Sequence, residues 1–135
     1  MRDWPERLAT GEAVVVPVQG RSMGPAYESA WLAEVHPVER PPAPGDWVLF
    51  RREPEWIIHR VVGLRSHGEH ARVFTCGDGE DALDDPLPVS SLVGVAHAWF
   101  DGTTWHPLDG ELERARAKVA VARARWRVLR RKWSR

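Results

Sequence analysis

The chain is expected to be mainly β, a small mixed β-barrel with a basic amphipathic α-helix at its C-terminal end. Three observations predict this. Short β-branched and aromatic runs recur between residues 14 and 106, separated by clusters of Gly, Pro and Asp. After residue 110 the pattern changes to apolar residues at steps of three and four, the repeat of one helix face. The charge divides at the same place. Residues 111–135 hold ten Lys/Arg and two Asp/Glu, a net of +8, while residues 1–110 hold nine and seventeen, a net of −8.

At 135 residues the chain suffices for one domain with a modest core. We take residues 1–110 as the β domain and 111–135 as the helix. The single cysteine, Cys76, excludes an intramolecular disulfide. No run reaches the ~18–20 apolar residues of a membrane span, and the first residues lack the apolar core of a signal peptide. A cytoplasmic protein, at most peripheral at a membrane, is therefore expected.

Residues 5–9 fit one helical turn. Val14-Val15-Val16-Pro17-Val18 reads as a strand, and Pro17 favours an edge. A turn follows around Ser22, and residues 31–35 read as the second strand. Four prolines make residues 37–44 a loop. Strands are expected at 47–51 and 56–64, then a polar hairpin loop at 65–70 and a return strand at 71–76. Residues 77–88 form an acidic loop, 92–100 a central strand, and 103–106 a final strand after the Asp101-Gly102 turn. In the helix, Leu112, Ala115, Val119, Ala122, Trp126, Leu129 and Trp133 share one face. Asp109 is the expected N-cap, and the basic C-terminal turns suit the helix dipole.

Gly20-Arg21-Ser22-Met23-Gly24-Pro25 places a hydroxyl where the backbone must bend. That suits a serine nucleophile, and it also suits an ordinary tight turn. His59, on a strand, is either a proton acceptor for that serine or a histidine satisfied by a backbone carbonyl. The loop Gly77-Asp78-Gly79-Glu80-Asp81-Ala82-Leu83-Asp84-Asp85 supplies carboxylates that can orient an imidazole. Some of them belong simply to a solvated loop.

Four segments, in order, resemble the signal peptidase I and LexA-like serine peptidase superfamily. They are Ser22-Met23-Gly24-Pro25, Gly45-Asp46-Trp47-Val48-Leu49-Phe50, His59-Arg60-Val61, and the acidic loop followed by Val93-Gly94-Val95. The resemblance spans residues 14–99 and implies a small barrel and serine endopeptidase chemistry. Most of that superfamily uses lysine as base, but the lysines here are Lys118 and Lys132, both in the helix. Histidine at the matching position is similar to the endoplasmic-reticulum type of signal peptidase. On that resemblance Ser22 is the nucleophile, His59 the base, and Asp85, or Asp84, the orienting acid. Asp78 supports the turn. Met23 and Pro25 shape the substrate pocket, with plain core packing the other reading of Met23, and the backbone N–H of Ser22 forms the oxyanion site, because Gly20 has no hydroxyl to add. The expected substrate is a precursor or leader peptide with small residues at the cut. The alternative is an inactive peptide- or partner-binding module recruited through the basic helix.

No cofactor or metal is expected; His67, Glu69 and His70 are ligand types without a convincing further ligand. Cys76 is expected to be small and buried. Trp31, Trp47 and Trp56 line either a peptide groove or the core. The helix is read as docking its apolar stripe on the barrel, or as contacting an anionic membrane through residues 111–135. No DNA-binding motif accompanies it, so nucleic acid is not an expected partner.

Overall fold

The computed structural model describes residues 3–18, 22–65 and 70–133, with side chains as far as Arg130. A short helix, α1 (Trp4–Ala9), leads into β1 (Val14–Pro17). After a 3₁₀ turn at Pro25–Tyr27 come β2 (Leu32–His36), β3 (Trp47–Arg52), β4 (Glu55–Arg65) and β5 (Arg72–Cys76). A two-residue β6 (Leu87–Pro88), β7 (Gly94–Phe100) and β8 (Trp105–Pro107) complete the sheet, and α2 (Glu111–Trp133) ends the chain.

The sheet runs β1-β2-β7-β3-β4-β5-β6, with β8 also paired to β7. Every pairing among the described residues is antiparallel, and the expected mixture of parallel and antiparallel strands is not found among them. Among the described residues the two ends of this path do not pair, and the sheet is open rather than closed. The expected strands all form, displaced by one or two residues; β6 lies inside the stretch read as a loop.

β3 shows why the centre is rigid. Trp47 and Leu49 point into one apolar cluster with Val14, Val16, Ala33, Val35 and Trp99. Val48 and Phe50 point into a second with Val61, Val73 and Leu92. Successive strand residues face opposite sides, so a strand buried on both faces carries a continuous apolar run. The expected tryptophan groove divides accordingly: Trp47 is core, Trp31 is exposed, and half-buried Trp56 packs edge-on against Trp4.

The same alternation governs β4. His59 faces the second cluster beside Phe50, and Arg60 faces the first, paired across the ladder with Trp47. Arg60 is fully buried yet satisfied. It donates from Nε and Nη2 to the two oxygens of Asp78 at 2.8 and 2.7 Å, and from Nη1 to the Gly45 carbonyl at 3.0 Å. It also donates to the Tyr27 hydroxyl at 3.1 Å, which in turn donates to buried Glu113 of α2 at 2.9 Å. Burial and the Glu113 carboxylate push the Tyr27 hydroxyl up to about 12, against the opposing pull of Arg60.

The docking of α2 departs from the sequence reading. The inward face is Glu113, Ala117, Ala120, Val121 and Ala124, of which Val121 and Ala124 pack with Val62, Phe74, Cys76 and Leu83. Arg125 donates to the Val62 carbonyl at 3.2 Å. The expected apolar stripe of Leu112, Val119, Trp126 and Leu129 is exposed instead. Small residues and one buried polar tie let the helix lie close to β4. Gly45 illustrates this, since a Cβ there would stand 3.3 Å from Ala117.

Removing a partner from a buried charge leaves an uncompensated ion in the core. Asp78→Ala should therefore lower the unfolding free energy by about 3–5 kcal/mol in urea denaturation. A loss under about 1 kcal/mol would mean that Arg60 is not held as described.

Candidate active site

Strand β4 fixes the imidazole. His59 is 1% exposed and opposes Val48 in the β3–β4 ladder. Its Nδ1 lies 2.5 Å from Asp84 Oδ2, and its Nε2 lies 3.1 Å from Ser22 Oγ. Asp84 receives three further contacts. Thr75 Oγ1 donates to Oδ2 at 2.7 Å, Arg52 Nη1 donates to Oδ1 at 3.1 Å, and the Asp84 backbone N–H donates to the Thr75 carbonyl at 2.9 Å. Burial works to raise the Asp84 carboxyl, but the hydrogen bonds from His59 and Thr75 and the Arg52 charge outweigh it. The carboxyl is held below its ordinary range.

An ionised carboxylate only accepts hydrogen bonds. With Asp84 ionised, the neutral imidazole carries its proton on Nδ1. The Nε2 lone pair then faces Ser22, whose hydroxyl donates to it. That is the tautomer a proton-accepting base requires. A second carboxylate stands by: Glu80 Oε1 is 3.5 Å from Nε2 and 37% exposed.

The Ser22 turn is clamped from the acidic loop. Gly79 N–H donates to the Ser22 carbonyl at 2.7 Å, and Glu80 N–H closes its own turn on the Gly77 carbonyl at 2.9 Å. A Cβ on Gly77 would fall 2.4 Å from the Ser22 carbonyl oxygen and 3.1 Å from His59 Nε2, so this close approach requires glycine. Gly24, at φ +83°, sits in the region that side chains disfavour, with a Cβ site 3.2 Å from Gly79 N.

Beside Ser22 lies a cavity of about 40 Å³, walled by Val16, Val18, Met23, Leu49, Trp56 and Ile58. Two sheet edges border it. Among the described residues β1 ends the sheet on one side, and residues 55–59 of β4 pair only with β3, since the β5 ladder begins at Arg60.

Ser22, His59 and Asp84 are thus brought together, but the order of the aspartates is reversed from the sequence reading. Asp85 is exposed, and Asp84 carries the contact, because the Thr75 bond sets the loop register one residue earlier. Asp78 holds Arg60, as a turn-supporting residue. Met23 lines the cavity at Ser22. Pro25 does not: it is exposed and lines a different cavity, of about 330 Å³, beneath α2. Gly20, with the rest of 19–21, lies outside the described residues, as do His67 and Glu69.

Arg52, Thr75, Gly77 and Glu80 went unassigned in the sequence. The glycine-punctuated turn was the available signal for Gly77 and Glu80; nothing local marked Arg52 or Thr75. Cys76 is buried, with its thiol pushed up to about 11 by burial and the nearby Asp84 and Glu80 charges, which disfavours a thiolate nucleophile. Among the described residues two groups offer three metal-ligand atoms each: His59, Glu80 and Asp84 here, and Glu34, His36 and His97 on β2 and β7. In the first group both His59 nitrogens are already engaged.

No family model matches the chain, and neither a curated protein nor a solved structure matches it.

Because Asp84 is depressed in the folded state, its stabilising contribution is present above the unfolded carboxyl value of about 3.9 and is lost as pH falls through the folded value. In thermal melts between pH 7 and pH 2, Asp84→Asn should be less stable at neutral pH, with the gap to wild type closing below about pH 4. A gap of constant size would show that the carboxylate is not held as described.

Proposed function

We propose that the protein is a serine endopeptidase resembling signal peptidases, acting through Ser22, His59 and Asp84 on an extended precursor or leader peptide. The observation that carries this is the pair of contacts on one buried imidazole: 3.1 Å to the Ser22 hydroxyl and 2.5 Å to the Asp84 carboxylate. Hydrogen-bond reach from alcohol to base, and from base to orienting acid, is what activating serine demands.

In this reading Ser22 Oγ attacks a peptide carbonyl as its proton passes to His59 Nε2. Asp84 stabilises the resulting imidazolium, and the backbone N–H of Ser22 serves the oxyanion. His59 then gives its proton to the leaving amine as the C–N bond breaks, leaving an ester on Ser22. Water, deprotonated by His59, cleaves the ester and regenerates the alcohol.

The substrate's form follows from the surroundings. Strand edges on β1 and on residues 55–59, unpaired among the described residues, favour an extended backbone that adds main-chain hydrogen bonds. The cavity of about 40 Å³ beside Ser22 suits a small side chain next to the scissile bond. The barrel of the signal peptidase type is part of the same proposal, as a closure of the open antiparallel sheet.

A fluorophosphonate probe tests the assignment. Wild type should label at one residue, Ser22→Ala should not label, and His59→Ala should label at least ~10³-fold more slowly. Labelling that persists in Ser22→Ala removes the nucleophile. A folded wild type that stays unlabelled, yet binds extended peptides, favours the inactive binding module.

A further inference from the structure

The outward face of α2 has no partner among the described residues. Leu112, Val119, Trp126 and Leu129 are 64%, 51%, 62% and 51% exposed, and Ala115 and Ala122 between them are exposed as well. At about 100° per residue these six fall within an arc of roughly 100°, one straight stripe running about 26 Å from Leu112 to Leu129. Cations edge it on both sides. Arg123 and Arg130 border one flank, and Arg114, Lys118 and Arg125 the other. Of the two acidic residues in the helix, Glu111 sits in its first turn, and Glu113 points inward to Tyr27 and Arg116.

We infer that this face is an interfacial membrane helix that lies on an anionic bilayer. Its apolar stripe would enter the boundary between headgroups and acyl chains, and its flanking cations would reach the lipid phosphates. Charge complementarity selects this occupant. Residues 111–135 carry +8 and the remainder −8, so an anionic surface attracts the helix and repels the body, turning the molecule helix-down. Beside the second flank, Arg114, Lys118 and Arg125 border an open cleft of about 850 Å³ whose far wall carries Arg40, paired with Asp46 at 3.4 Å, and Asp109; its cations outnumber its carboxylates, and it gives headgroups room. A second copy would set two strongly basic helices against each other. A nucleic acid would use the cations but leave Trp126 and the leucines in water. No helix among the described residues is long and apolar enough to span a bilayer, so the contact is peripheral.

The test is co-sedimentation of the full chain with vesicles of phosphatidylcholine alone, and of phosphatidylcholine with one-third phosphatidylglycerol. Wild type should partition at least tenfold more strongly into the anionic vesicles and be released by high salt. Trp126→Ala/Leu129→Ala should lose at least tenfold in partitioning, and so should Arg123→Glu/Arg130→Glu. Urea unfolding should show both variants folded, since these side chains face outward. Ser22→Ala should bind as wild type does, which separates this proposal from the catalytic one. Equal partitioning into both vesicle types, or undiminished binding by either folded double variant, would overturn it. So would a dimer, or a complex with duplex DNA, that requires Trp126 and Leu129 while the vesicles sediment without protein.

Discussion

Two neighbouring side chains on one strand, His59 and Arg60, set the terms for the rest of the molecule. Alternation along β4 sends them to opposite sides, and both are buried. Neither is tolerable there without an anionic or polar partner. The loop after β5 answers both, Asp78 with Arg60 and Asp84 with His59. That loop is therefore held at two points six residues apart. On either side of the first of them, Gly77 and Gly79 make the close approach to Ser22. The imidazole, the alcohol and the carboxylate are positioned by the same constraint that buries the guanidinium.

Polar burial also couples the site to α2. The chain Asp78, Arg60, Tyr27, Glu113 runs from the loop through the core to the first turn of the helix. At the other end, Arg127 donates to the Glu80 carbonyl. The helix thus backs the acidic loop with its inner face and leaves its apolar stripe outside. Stability of the loop depends on helix docking, so the inward face carries polar ties and small residues rather than bulk.

Much of this was legible in the sequence. Runs such as Trp47-Val48-Leu49-Phe50 mark buried strands, and the Ser22 turn, His59 and the acidic loop were all visible as candidate chemistry. The choice between Asp84 and Asp85 was not, because it rests on one long-range backbone bond to Thr75. The docking face of α2 was misread for a related reason. Periodicity reports which residues share a face, not which face is covered. The larger apolar residues lie on the side that proves exposed, while Ala117 and Ala124, weakly hydrophobic but small, take the close contact. Arg52 and Thr75 meet Asp84 only through folding, and no local pattern could have joined them.

The site depends on a His59 Nδ1 proton held between the ring and the Asp84 carboxylate. Proton NMR in water reads this directly, as a far-downfield exchangeable resonance from a short, charge-assisted N–H···O contact. The resonance should be present in wild type, absent from His59→Ala and lost or moved sharply upfield in Asp84→Asn, while Asp85→Asn leaves it in place. A wild-type spectrum without it, or one that responds to Asp85 and not to Asp84, would contradict the arrangement on which the site is built.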